Sequence, residues 1–169
     1  MPKLTRRQIL AGGIGSAFLP PLAYFASVSF GGYREYSGLQ FFSNKEAAIL
    51  ESIGEVIVPN ENPIGVTIYE AELVKNTDEL MTIIPSHNQS RVKLLLWAVE
   101  HLFPSRCFYF KKFTNLDLAE REKIFRKLEA SNSLSTRALM RAIKTLVQAI
   151  YYNNSLVAQK MGIDGRCLI

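Results

Sequence analysis

Apolar residues recur every three or four positions through most of this chain, the spacing that places them on one face of an α-helix. The first such stripe follows Ser43-Asn44-Lys45-Glu46, a capping-box pattern in which the serine and glutamate side chains each bond the other residue's backbone amide. Pro59 predicts where this helix ends. The stripe consists of Ile49, Leu50, Ile53, Val56 and Ile57.

Two further capping-box patterns predict two more helices. Thr67-Ile68-Tyr69-Glu70 opens a helix that runs to about Ile83 and is stopped by Pro85. Ser86-His87-Asn88-Gln89 opens the next, which continues to Pro104. The apolar stripe of this third helix consists of Val92, Leu95, Leu96, Val99, Leu102 and Phe103.

The second half of the chain has the same periodicity. A charged amphipathic helix begins at Leu116-Asp117, and Ser131 to Ser135 form a polar break after it. A long helix is predicted from about Thr136 to Tyr152, and a short one from Ser155 to Met161. Gly162 suits the left-handed position that closes many helices. The long helix carries Leu139, Met140, Ile143, Leu146, Val147 and Ile150.

Because no alternating strand pattern competes after residue 30, the sequence predicts an all-α fold, an irregular bundle of about five or six helices. Residues 105–115 are rich in aromatic side chains, and we favour a loop or short helix packed on the core, with a short strand as the alternative. We divide the chain into an N-terminal signal, residues 1–30, a linker with aromatic anchors, residues 31–42, and a helical domain, residues 43–169.

The N-terminal segment has the layout of a twin-arginine export signal. Arg6 and Arg7 lie within Thr5-Arg6-Arg7-Gln8-Ile9-Leu10, and no further charge occurs before Arg34. An ordinary secretory signal or a basic amphipathic helix is the alternative. The twin-arginine route carries folded proteins, and such cargo usually holds a cofactor or travels with a partner that does. The sequence therefore predicts a periplasmic location.

The fate of this segment has two interpretations. The uncharged stretch from Gln8 to Tyr33 is long enough to cross a bilayer, although Pro20-Pro21 would break a helix in its middle. Small residues at Ser27-Val28-Ser29 offer a cleavage site. We favour removal of the signal, with a retained membrane anchor as the alternative.

The net charge of the signal differs from that of the rest of the chain. The 169 residues carry a formal net charge of +5. Without Lys3, Arg6 and Arg7, the 20 basic residues fall to 17 against 15 acidic ones, a net charge of +2. The basicity therefore lies mostly in the signal, and we predict no nucleic-acid binding.

Motifs for catalysis are missing from the sequence. It contains no G-x-G-x-x-G, P-loop, G-x-S-x-G or H-E-x-x-H pattern, and His87 and His101 lack zinc-ligand spacing. Cys107 and Cys167 could form a disulfide, bond to a partner subunit or remain thiols. We therefore predict no catalytic residues, no metal and no cofactor held by this chain.

Two groups of residues follow patterns known from one protein family. In the first, residues 41–47, FFSNKEA, lead through Ile53 to Pro59, similar to an L-S-x-x-E helix that ends in I-P. The second group comprises Phe113 to Leu116, Glu120 to Glu122, Ser131, Arg137, Tyr151 to Asn154, Val157, Met161, Gly162 and Gly165. In this order they resemble the gluconate 2-dehydrogenase subunit 3 family, the small subunits of periplasmic FAD-dependent sugar or alcohol dehydrogenases.

This resemblance implies a non-catalytic accessory subunit. Its partner would be a large FAD-containing dehydrogenase of the glucose-methanol-choline type, which this chain would stabilise and export through the twin-arginine translocase. Electrons would leave through a cytochrome c subunit or another carrier, and the complex would be associated with the membrane. The alternatives are a membrane-anchored helical scaffold and, less favoured, a stand-alone periplasmic enzyme.

Aromatic residues near Phe108 and Tyr151 are the candidates for the partner contact, because amphipathic aromatics suit interface cores. The alternative for each is a place in the domain's own core. The candidates are Phe108, Tyr109, Phe110, Tyr151 and Tyr152.

Overall fold

A computed structural model describes residues 32–163 of the chain. Its contacts divide the chain between Tyr33 and Arg34, and every helix described below belongs to the unit Arg34–Ile169. The signal residues Arg6 and Arg7 lie outside the described residues, as does Cys167.

The described part of the chain consists of helices joined by loops and turns, and it contains no strand. The all-α prediction is therefore confirmed. A π-helical segment, Ala98–Leu102, follows the third helix, and a 3-10 turn, Phe113–Asn115, precedes the fifth. The α-helices are α1 (Asn44–Ile57), α2 (Leu73–Ile83), α3 (Ser86–Trp97), α4 (Phe103–Arg106), α5 (Leu118–Glu129), α6 (Leu134–Tyr152) and α7 (Ser155–Lys160).

Helix α1 lies at the centre, and α2, α3, α5 and α6 all pack against it. Its predicted capping box forms, because Ser43 Oγ accepts from the Glu46 amide and Glu46 Oε2 accepts from the Ser43 amide at 2.9 Å. Gly54 permits a close approach to α2. A Cβ at Gly54 would lie only 2.6 Å from Leu73 Cδ2, so any larger residue there would force the buried Leu73 side chain to shift.

The second predicted helix begins later than expected. The Thr67–Glu70 capping box does form, with Glu70 Oε2 accepting from the Thr67 amide at 2.7 Å. It opens only one turn, since Glu72 adopts the left-handed conformation with φ 47° and the Leu73 amide donates to Ile68 O. These are the features of a Schellman closure. Helix α2 therefore starts at Leu73, and the continuous helix predicted from Thr67 is wrong.

The third predicted capping box is also wrong. Helix α3 begins at Ser86, with Pro85 in the cap position and without a side-chain cap in this described segment. The side-chain Nε2 of Gln89 instead donates to the backbone carbonyls of Met81 at 2.8 Å and Ile84 at 3.2 Å. Gln89 therefore satisfies the last carbonyls of α2 instead of capping its own helix.

The C-terminal helices follow the sequence closely. Asp117 and Glu120 form a capping box at the start of α5, and Ser133 caps α6 through the Thr136 amide. Gly162 has φ 73° and closes α7, as predicted.

Asp78 of α2 fixes the segment that precedes α1. Its carboxylate is 2% exposed and accepts the backbone amides of Gln40, Phe41 and Phe42 at 2.7, 3.1 and 2.7 Å. Phe42 is thereby held in the core, where it is 5% exposed. The end of the predicted linker is thus part of the folded unit.

Between residues 32 and 163, no helix has the length and apolar character needed to cross a membrane.

Candidate functional site

A groove runs along the surface between α3 with its π-helical continuation on one side and α6 on the other. Both walls pack on α1, and the groove between them has a volume of about 700 Å³. We call it the α3–α6 groove. Its lining consists of Asn88, Arg91, Val92, Leu94, Leu95, Trp97, Ala98, Leu102, Leu139, Ala142 and Leu146.

The groove exists because α3 is apolar on more than one face. Leu96 points into the core and is 2% exposed, whereas Leu94 is 66% exposed and Trp97 is 47% exposed. An amphipathic surface helix normally keeps its outer face polar. Large apolar side chains exposed beside an open groove are typical of ligand-binding or protein-binding surfaces.

Polar groups occupy one end of the groove. Among its lining residues only Asn88 and Arg91 carry polar side chains, both from the first half of α3. The Arg91 side chain makes no ion pair within residues 32–163. This arrangement suits an apolar ligand surface that carries a carboxylate at one end.

His101 lies beside the groove on the π-helical segment. Its ring is 5.6 Å from the Trp97 ring, and Lys45 Nζ lies 3.2 Å from its Nε2. Burial, followed by the charge of Lys45, lowers the pKa of His101. The neutral ring can therefore accept a hydrogen bond from Lys45, which ties this wall of the groove to α1.

A buried glutamate fixes the same segment from the other side. Glu100 is fully buried and accepts the Thr114 amide at 3.1 Å and the Thr114 hydroxyl at 2.8 Å. π-helical turns occur mostly as single turns and often at functional sites. Here the π turn places Leu102 at the groove while its neighbour Phe103 is 1% exposed.

The predicted interface aromatics divide into two groups. Phe108 and Phe110 are 80% and 79% exposed, Tyr109 is half-buried, and Tyr152 is 47% exposed. Tyr151 is 1% exposed, and its hydroxyl donates to Val66 O at 2.6 Å. The assignment of Tyr151 to a partner surface is therefore wrong.

The helical period explains the burial of Tyr151. It follows Val147 by four residues and so lies on the same buried face of α6. The structure does not bring the remaining aromatics into the groove, because none of them lines it in the described part of the chain.

Cys107 is half-buried at the end of α4, and burial raises the pKa of its thiol. A thiol with a raised pKa is a poor nucleophile at neutral pH. Because Cys167 lies outside the described residues, the three alternatives stay open: a disulfide between the two cysteines, a bond from one of them to a partner subunit, and two thiols.

A second polar cluster lies between α1 and the turn after Thr67. The Tyr36 hydroxyl donates to Glu51 at 2.8 Å and the Tyr69 hydroxyl donates to Glu55 at 2.6 Å. Arg121 also binds Glu55 at 2.6 Å. Burial and these carboxylates raise the pKa of both tyrosines. The cluster is internally hydrogen-bonded, so it connects α1 to α5, to the turn after Thr67 and to Tyr36 of the linker.

Residues 32–163 contain no group of three or more His, Cys, Asp or Glu side chains placed to hold a metal ion. Comparison of the chain with protein-family models, with curated proteins and with solved structures gave no match.

One feature of the sequence indicated this groove, although the stripe of core-facing residues in the third helix did not include it. Leu94, Leu95, Leu96 and Trp97 form an uninterrupted apolar run within a helix, which places apolar residues on every face. Such a run predicts a second contact surface besides the core.

Proposed function

We propose that this chain is the non-catalytic small subunit of a periplasmic dehydrogenase, whose large subunit carries FAD and belongs to the glucose-methanol-choline type. The chain would bind and stabilise the large subunit and export it by the twin-arginine route. The exposed α3–α6 groove carries the proposal, because it provides an apolar surface that a partner subunit would cover.

The dimensions of the groove suit one face of a partner helix. Its α3 wall extends from Asn88 to Leu102, a length of about 20 Å at the rise of an α-helix. This corresponds to nearly four turns of a bound amphipathic helix, a common recognition mode for apolar grooves. Leu94 and Trp97, which line the groove, would supply large apolar contacts of the kind that dominate interface energies.

The order of sequence motifs supports the same proposal. The export motif at Arg6-Arg7 precedes a helical body that resembles the small-subunit family from Phe41 to Gly165. The sequence of this body contains no nucleotide-binding or nucleophile motif. Oxidation of a sugar or alcohol would therefore occur on the FAD of the large subunit, and electrons would pass to a cytochrome c or another carrier.

Replacing Arg6 and Arg7 together with lysine tests the export function. We expect this chain and one FAD-dependent dehydrogenase without its own signal to move together from the periplasmic to the cytoplasmic fraction, because the paired arginines are the export motif. Quantitative mass spectrometry of both fractions measures the shift. Lys3→Gln, which removes a nearby charge and leaves the motif intact, is the control. Normal export of every flavoprotein in the double variant contradicts the proposed role.

A further inference from the structure

We propose that the segment Cys107–Lys112, here called the aromatic loop, docks this chain on an anionic lipid surface. This inference goes beyond the proposed subunit role and does not depend on it. Phe108 and Phe110 are 80% and 79% exposed, more than any other aromatic side chain in the described part of the chain. Two such residues at one loop tip form an apolar wedge.

The backbone presents Phe108 outward in a conformation that usually belongs to glycine. Phe108 has φ 65°, and its amide donates to Ser105 O at 3.1 Å while the Tyr109 amide donates to Pro104 O at 2.9 Å. These bonds close α4 as a Schellman motif with phenylalanine in the left-handed position. The loop is therefore fixed by backbone bonds and holds its Phe108 ring in water.

Basic residues surround the wedge. Between Phe103 and Leu116 the sequence has no acidic residue, whereas Arg106 and Lys111 are exposed. Lys127 of α5 adds a third cation, with its Nζ 5.6 Å from the centre of the Phe108 ring. Lysine and arginine near an anionic bilayer bind its headgroups while their stems lie along the acyl boundary.

The first turn of α6 continues this surface. The Arg106 guanidinium donates to Thr136 Oγ1 at 3.3 Å, which places the end of α4 beside that turn. Leu134, the first residue of α6, is 73% exposed, and the sequence from Ala130 to Ile143 contains no acidic residue. Exposed apolar side chains beside Arg106, Lys111 and Lys127 match the interfacial zone of an anionic membrane.

A protein partner is less well matched by this loop. Protein interfaces combine apolar contacts with hydrogen bonds from both sides. The outer part of the aromatic loop instead offers two phenyl rings and ammonium groups, and the structure already provides a separate apolar groove between α3 and α6. We therefore assign the groove to protein and the aromatic loop to lipid.

The direct test places a tryptophan on the loop of the full chain. Phe110→Trp is compared with Ile83→Trp, since Ile83 is 78% exposed at the end of α2. Both variants keep Trp97 and the N-terminal segment with Lys3, Arg6 and Arg7, so the contributions of these groups cancel in the comparison. With vesicles of phosphatidylcholine and brominated phosphatidylglycerol, we expect bromine to quench fluorescence more strongly in Phe110→Trp. High salt should weaken this difference. Equal quenching in the two variants overturns the proposal.

Vesicle sedimentation provides the second measurement. Phe108→Ser with Phe110→Ser is expected to lower partitioning onto phosphatidylglycerol vesicles by about tenfold or more, because two interfacial phenyl rings are lost. Ile83→Ser should leave it unchanged. If the double variant sediments with vesicles as the parent chain does but loses a copurifying protein, the aromatic loop is a protein contact and the lipid proposal is wrong.

Discussion

Replacing Asp78 with alanine is expected to lower the free energy of unfolding by about 3 kcal/mol. The carboxylate is almost fully buried and accepts three consecutive backbone amides, from Gln40 to Phe42. Hydrogen bonds to a charged acceptor contribute more than neutral ones, and a buried amide left without an acceptor costs about 1–3 kcal/mol. Some of that cost is recovered, because the backbone at Gln40 can reach water.

Urea denaturation followed by circular dichroism measures this loss. Asp78→Asn provides a graded step, because the amide oxygen can accept from one or two of the three amides without the charge. We expect it to lose about half as much stability as the alanine variant. Glu79→Ala, at the exposed neighbouring position, should change stability by less than about 0.5 kcal/mol. If Asp78→Ala is as stable as Glu79→Ala, the three hydrogen bonds to Asp78 do not contribute the stability assigned to them.

Combining Leu94→Asp with Trp97→Ala is expected to weaken binding of the dehydrogenase subunit by more than about 100-fold. Truncating a central aromatic anchor typically costs about 2 kcal/mol or more, a factor of about 30. An aspartate at Leu94 would bring a charge into the covered apolar groove, where Arg91 is the one cationic lining residue among residues 32–163 that could pair with it. The two losses concern neighbouring positions on α3 and need not be additive.

Capture of the partner by a tagged chain measures this effect. The fold should tolerate both changes, because Leu94 and Trp97 are 66% and 47% exposed. Ile83→Asp introduces the same charge at a position that is 78% exposed and outside the groove. That control should capture the partner as the parent chain does. If groove and control variants behave alike while both remain folded, the partner binds elsewhere.

Local sequence signals predicted most of the fold. The capping box at Ser43, the polar start of α5 at Asp117 and the glycine at 162 depend on residues a few positions apart, so their structure follows from the sequence alone. The all-α architecture follows equally from the 3.6-residue period of the apolar positions.

Tertiary contacts decided the features that the sequence could not reveal. Glu72 takes a left-handed conformation as the chain passes Gly54 of α1, where Leu73 and Ile68 pack. Gln89 binds carbonyls of the preceding helix instead of its own backbone. A four-residue motif contains no information about such tertiary contacts, so it cannot predict where they override the local capping pattern.

The candidate site also combines features that the sequence could predict with one that depends on tertiary packing. Periodicity could have placed Tyr151 in the core with Val147, and the run from Leu94 to Trp97 indicated a second apolar surface. That α6 forms the opposite wall could not be predicted, because it depends on how α3 and α6 each pack against α1.

The most direct measurement is affinity capture of the tagged chain from its native periplasm and membranes, with a visible absorption spectrum and mass analysis of the product. The account predicts a stoichiometric complex with one large protein that shows a flavin spectrum. A colourless, monodisperse chain recovered alone from both fractions would contradict it and would return the membrane-anchored scaffold and the stand-alone enzyme as the leading hypotheses.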